Sequence, residues 1–396
     1  MTQSLAYIKK HLSRYGMIIA LASAMILFSF LTNGVLMTPI NLTNLILQNS
    51  YILILAIGML LCTLTGNVDL SVGSVVALIG GVAAVLMVDF GLNLYLAVII
   101  SLLAGCVIGA WQGFWTAFVK VPAFIVTLAG MLIFRGFAQL LLQGTSKGPF
   151  PQIFQSIASG FIPDPFGGIK VFGGNMHAFS LLIGALLCAI FLAEETRRRN
   201  KQIKNNFEVV PFGVWIAKIV FLAVVVMFFA VVFALYKGIP NILILLGALV
   251  GIYHFITVKT VPGRHVYAVG GNAKAAKLSG IKTEWVLFWV YTNMGLLSAL
   301  AGMVFAARLN VATPKAGNMF ELDAIAACYI GGSSVTGGVG TVIGAIVGGL
   351  FMGVLNNGMS IMGVAVDWQQ AIKGFVLLGA VAFDLYSKSK SRNASL

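Results

Sequence analysis

Charge is what this chain has least of. Only 9% of its 396 residues are Asp, Glu, Lys or Arg and just 11 are acidic, against 59% hydrophobic residues and a mean hydropathy of +0.99. One soluble core cannot hide that much apolar surface, so the composition excludes an ordinary globular domain and gives a polytopic membrane protein. Few carboxylates also count against a proton- or sodium-driven transporter, which relies on ionisable relay groups inside the membrane. The four cysteines (Cys62, Cys106, Cys188, Cys328) and four histidines (His11, His177, His254, His265) lack the spacing of metal ligands, so neither a metal nor a cofactor is expected. A phosphate-binding GxxxxGKS/T loop is missing too. Gly338-Val-Gly340-Thr-Val-Ile-Gly344 fits neither that loop nor the dinucleotide fingerprint, so the chain is expected not to hydrolyse ATP by itself. With no Asp-rich motif and no nucleophile beside a base, no catalytic residue can be named, which argues against a membrane enzyme such as a lipid-linked sugar transferase.

What charge there is has a pattern. The net +14 would suggest nucleic acid in a soluble protein, but the cations gather between apolar runs: Lys9, Lys10 and Arg14; Arg197 to Lys204; Lys259 to Lys282; and Lys388, Lys390 and Arg392. Under the positive-inside rule these are cytoplasmic anchors, and both termini are expected in the cytoplasm. At about 20 apolar residues per crossing, spans fall near 16–33, 45–65, 71–88, 94–118, 122–143, 178–193, 214–236, 241–258, 285–309, 323–338, 341–362 and 367–386. That makes about twelve, all helical. The first run, Met17 to Leu31, is read as an uncleaved span, because its Ala22-Ser23-Ala24 lies inside the run and not after it.

One polar, basic interruption stands out, Pro262 to Glu284. Asn272 can cap a short helix, Ala273 to Ser279 are mostly good helix formers, and Gly280 can end it in the left-handed conformation. So short a helix needs a surface to dock on. Ala275, Leu278 and Ser279 would face one side, Lys274 and Lys277 another. The stretch reads either as a plain topological anchor or as a plug for a groove on a soluble partner.

This stretch, with Glu321-Leu-Asp323-Ala-Ile-Ala-Ala, Ile330-Gly-Gly-Ser-Ser-Val-Thr-Gly-Gly-Val-Gly340, Asp69-Leu-Ser-Val-Gly-Ser74 and Val121-Pro-Ala-Phe-Ile-Val-Thr-Leu-Ala-Gly-Met131, resembles the permease subunits of bacterial ABC importers for monosaccharides, of ribose and xylose type. The resemblance implies a multi-pass protein of the bacterial inner membrane, a homodimer around one path for a monosaccharide, an ATP-binding cassette subunit beneath it and an external sugar-binding protein above. Gly270, Gly271, Asn272, Ala275, Ala276, Leu278, Ser279 and Gly280 fall on the family's coupling motif, and a long side chain at Ala276 would lift that helix from its groove. Against shorter ribose-type permeases, the chain reads as a ten-span core with an inserted pair in 178–236, an external loop at 144–177 and a cytoplasmic coupling loop at 259–284. A secondary transporter not coupled to an ATPase is the alternative.

Other residues carry narrower expectations. Gly105, Gly109 and Gly113, and Gly340, Gly344 and Gly348, are spaced four apart and give flat strips for close helix packing, within the chain or at a dimer contact. Asp69 is expected to cap the third span, while Arg135 lies deeper without an evident counter-ion. Glu321 and Asp323 begin the tenth span, where they suit a positive helix end or a contact with the external binding protein. An uncharged sugar needs hydrogen-bonding groups, for which Asn293, Thr292, Ser298, Asn356 and Asn357 are candidates, although polar packing between helices explains each as well. Trp111, Trp115, Trp285, Trp289 and Trp368 read as interfacial anchors.

Overall fold

Prolines and glycines punctuate the chain before any packing is considered. Pro39 and Pro262 occupy the first turn of a helix, and Pro122, Pro151, Pro211 and Pro240 stand immediately before one, where a missing N–H costs nothing. The computed structural model describes residues 2–171, 174–207 and 209–393, with side chains for 16–169, 176–207 and 209–382. The side chains of Lys9, Lys10, Arg14, Lys388, Lys390 and Arg392 lie outside the described residues.

The helices in order are α1 (Thr2–Leu31), α2 (Pro39–Leu64), α3 (Val72–Ala84, prolonged by a π-turn at Val85–Asp89), α4 (Leu94–Ala117), α5 (Ala123–Leu142), the short α6 (Gln152–Ser159), α7 (Ala178–Lys204) and α8 (Phe212–Ala234). There follow α9 (Asn241–Lys259), α10 (Val261–Leu278), α11 (Thr283–Leu309), α12 (Phe320–Ile330), α13 (Val342–Ile361) and α14 (Val366–Asn393). One small antiparallel hairpin, β1 (Ile169–Val171) with β2 (Gly174–Met176), sits between α6 and α7 with Ile169 opposite Met176. Among the described residues nine helices are long and apolar enough to cross a membrane, with Gly16–Leu31 a shorter apolar stretch of α1. The chain is an all-helical polytopic membrane protein.

One expected span is different. In place of a helix over 323–338, α12 stops after 11 residues at Ile330, and an irregular loop with left-handed Gly332, Gly337 and Gly338 leads to α13. Gly331 and Gly332, which carry no β-carbon, let the chain leave the helix there.

Burial sorts the helices into a core and a rim. The most apolar window of α2 is 89% buried and those of α3 and α11 are 72% buried, whereas α7 and α8 reach only 17%. The centre is therefore α2, α3 and α11, with α4 and α13 laid against them, and α7 and α8 pack chiefly on each other. The Gly105 strip is an internal seam. A β-carbon on Gly109 would stand 2.9 Å from the Cα of Thr292, and one on Gly113 2.8 Å from the Phe288 carbonyl, so α4 lies backbone to backbone on α11. The second strip is broken. Gly344 and Gly348 face the end of α12, but Gly340 precedes α13 in the irregular loop, where a β-carbon on it would fall 2.9 Å from Leu60 Cδ1.

Gly109→Ala is therefore expected to cost ~1–3 kcal/mol by overpacking the α4–α11 seam. Gly251→Ala, at a helical position where a β-carbon meets nothing within 4 Å, leaves stability unchanged or raised. Thermal unfolding of the two purified variants in detergent checks this contrast.

Candidate functional site

The site is assembled from three irregular pieces of backbone that touch. The first is α10. Its N-terminus is capped by Thr260, whose Oγ1 accepts from the Gly263 N–H at 3.3 Å. The helix breaks at Asn272, whose backbone is extended (φ −161°, ψ 98°), and restarts there because Asn272 Oδ1 accepts from the Ala275 N–H at 3.0 Å. It closes at Gly280 (φ +86°) with two bonds, Gly280 N–H to the Lys277 carbonyl at 3.0 Å and Ile281 N–H to the Ala276 carbonyl at 3.1 Å. That pair of bonds is a Schellman ending. Cap, helix and stop agree with the sequence reading.

In this short helix only Ala276 points inward, at 5% exposure, while Lys274, Ala275, Lys277 and Ser279 are exposed and Leu278 is 91% exposed. A large residue at Ala276 would therefore unseat the helix from its own chain rather than from a partner. Lys277 is held by Glu284 at 2.6 Å, which ties the helix to the start of α11.

The second piece is the break between α12 and α13, and the third is the end of α2. Gly338 N–H donates to the Leu64 carbonyl at 2.8 Å, and the Thr63 and Ser333 hydroxyls share a hydrogen bond of 3.0 Å. Gly270 and Gly271 lie directly on this junction. A β-carbon on Gly270 would fall 2.7 Å from the Gly338 nitrogen, and one on Gly338 2.9 Å from the Gly271 Cα. Tyr267 adds a side-chain tie, its hydroxyl donating to the Gly340 carbonyl at 2.7 Å. Burial raises that hydroxyl above its ordinary pKa, so it stays a donor at neutral pH. The far end of α12 is fixed as well: Asp323 is 5% exposed and paired with Lys373 of α14 at 3.1 Å.

The remaining candidates are scattered. Asn293 accepts from the Tyr253 hydroxyl on α9, Thr292 bonds back to the Phe288 carbonyl at 2.8 Å, and Asn357 exchanges hydrogen bonds with Asn41 of α2 at 2.9 and 3.2 Å. Ser298 is buried in the core, and Asn356 sits apart on α13. Asn293 and Asn357 thus join helices, while Thr292 bonds within its own. Asp323 is buried and paired, and Glu321 is half-buried, its carboxylate lying against Gly73. In place of a cap on α3 by Asp69, Ser71 holds the N-cap position without a side-chain cap bond, and Asp69 Oδ1 accepts from Ser71 N–H at 2.8 Å and Ser71 Oγ at 2.7 Å, with Gln112 donating to that same hydroxyl. The deep Arg135 donates to the carbonyls of Pro314 at 2.9 Å and Ala316 at 2.5 Å, with the Glu321 carboxylate as the opposite charge near it. Tyr267, Thr63 and Ser333 were not singled out from sequence; the paired glycines at 270–271 and 337–338 were the available signal.

Asn272→Ala is expected to cost the short helix about 1 kcal/mol. Faster hydrogen exchange over 273–279, with exchange in α11 unchanged, is the corresponding readout.

Residues 41–381 match the model of a family described as branched-chain amino acid transport system / permease component. The chain is 38% identical over 381 residues to the xylose transport system permease protein of Escherichia coli K12, covering 96% of this chain and 94% of the relative. It is 40% identical over 380 residues to the protein of the same name from Haemophilus influenzae, covering 96% and 98%. With the ribose import permease protein of Escherichia coli K12 it shares 36% identity over 346 residues, 87% of this chain and 85% of the relative. No solved structure matches the chain.

Proposed function

Because the chain belongs to the family of branched-chain amino acid transport system permease components, we propose that it forms the path for a monosaccharide, xylose or a related pentose or hexose, in an ATP-driven importer. It is a multi-pass inner-membrane protein and a transport permease, not an enzyme. Supporting the sugar reading, relatives named for xylose match along nearly the whole chain, and those named for ribose along less of it.

The observation that carries the ATP-driven reading is that the exposed helix after Asn272 continues directly from Gly270 and Gly271, which touch the helix break. In this reading the ATP-binding subunit holds Lys274, Ala275, Leu278 and Ser279 in a groove. Its motion reaches Gly270 and Gly271, which bear on the Leu64 carbonyl and on Gly338, and so reaches the C-terminal end of α12. Because glycine leaves no side chain to deform, backbone is moved by backbone. The loop at 259–284 and both termini then lie in the cytoplasm, the loop at 144–177 lies outside, and α7 and α8 form a pair inserted into a ten-helix core. Two copies of the chain enclose the path, and an external sugar-binding protein meets the outer face.

Leu278→Asp is expected to reduce co-purification of an ATP-binding subunit and ATP-dependent uptake at least tenfold, with the amount of protein in the membrane unchanged. Ala276→Arg should instead lower that amount, since its target is the chain's own interior. Uptake in vesicles that continues without ATP and collapses with the proton gradient overturns the reading in favour of a secondary transporter.

A further inference from the structure

Between the rim pair α7–α8 and the core lies a cavity of about 670 Å³, walled also by α1, α2, α9 and α13. Ser180 is the one polar side chain on its wall, and its hydroxyl is already bonded to His177 Nδ1 at 3.0 Å. Water needs two to four polar partners to settle in a cavity, so this one is not a water site. The rim helices line it unevenly. They contribute positions 180–187 from the start of α7, 225–233 from the end of α8 and 243–250 from the first half of α9. The cavity therefore runs from the α8–α9 turn to about mid-membrane, the depth of one leaflet, roughly 15 Å.

A cation stands at the mouth of that leaflet. Lys237, in the α8–α9 turn two residues before the wall residue Ile239, is exposed, with its ammonium 5.5 Å from the Tyr236 ring centroid and 5.8 Å from that of Phe161. Among the described residues no carboxylate lies within ion-pair distance of it. A fixed positive charge between two aromatic rings at the interface, above an apolar slot one leaflet deep, complements one chemical class: a phosphate group joined to a hydrocarbon chain.

The geometry points to a structural phospholipid site, in which one acyl chain of a bilayer phospholipid fills the cavity and its phosphate pairs with Lys237. The lipid belongs to the leaflet opposite the α10 loop, because α9 alone separates the Lys237 turn from α10. Hydrocarbon there supplies the contacts that a pair of helices on the rim otherwise lacks against the core. The inference is independent of the transported solute and of ATP coupling.

The test uses the full chain in nanodiscs containing phosphatidylethanolamine with a diazirine midway along one acyl chain. Photolabelling of the peptide spanning 239–250 should exceed that of the bilayer-facing α5 peptide around Leu132 and Leu140 at least threefold. Gly247→Trp, at a wall position where a β-carbon meets nothing within 4 Å, should cut the first signal at least fivefold and spare the second. Lys237→Glu, in an exposed turn that tolerates substitution, should at least halve the phospholipid retained per chain in native mass spectrometry. Equal labelling of the two peptides, labelling untouched by Gly247→Trp, retention unchanged by Lys237→Glu, or ready disulfide formation between two copies of Ile244→Cys at the cavity mouth each overturns the site.

Discussion

Buried backbone groups must find partners, so those freed between α12 and α13 have to be met by the protein itself. The rest of the structure follows from how that requirement is met. The Leu64 carbonyl at the end of α2 takes the Gly338 N–H, and Thr63 and Tyr267 supply hydroxyls to Ser333 and Gly340. These donors and acceptors reach the break only because α2 is enclosed along almost its whole length and because Gly270 and Gly271 let α10 come within backbone contact. The element that satisfies the break thus continues directly into the exposed helix after Asn272.

Close packing by glycine is a second use of the same economy. Between helices in lipid the hydrophobic effect adds little, so association depends on contact area, and backbone contact maximises it. The α4–α11 seam at Gly105, Gly109, Gly113 and Gly295 is built this way. Rim helices α7 and α8 lack comparable seams with the core, apart from Gly184 on Ala230 within the pair. Their hold on the core is correspondingly looser, and an apolar void remains between them.

Long apolar runs made most of the fold legible in the sequence, because a membrane span is fixed by length and composition and needs no knowledge of its neighbours. The cap at Asn272 and the stop at Gly280 were legible for the same reason: both are local backbone chemistry. What failed was whatever depended on a neighbour. The stretch 323–338 is apolar enough for a span, but Gly331 and Gly332 permit an exit whose bonds are completed 270 residues away in sequence, at Thr63. Gly340 keeps the spacing of a helical strip while standing outside the helix. Ala276 looks like a surface position by composition, and only packing turns it inward. Asp323 reads as an outer carboxylate until Lys373, on the last helix, is found beside it. Polar residues within spans, such as Asn293 and Asn357, announce a partner without saying which.

The shortness of α12 changes the scale of any motion it receives. At 11 residues it is a rod of about 16 Å, held at one end by the Asp323–Lys373 pair and packed at the other against Gly344 and Gly348 of α13, where the glycine junction bears on it. A shift of about 2 Å, typical of helix movements in switching proteins, tilts such a rod by about 7°, against about 4° for a helix of roughly 30 Å that spans the bilayer. Half the length doubles the angular gain, so a small stroke delivered at the membrane surface is geared up into rotation at the midplane.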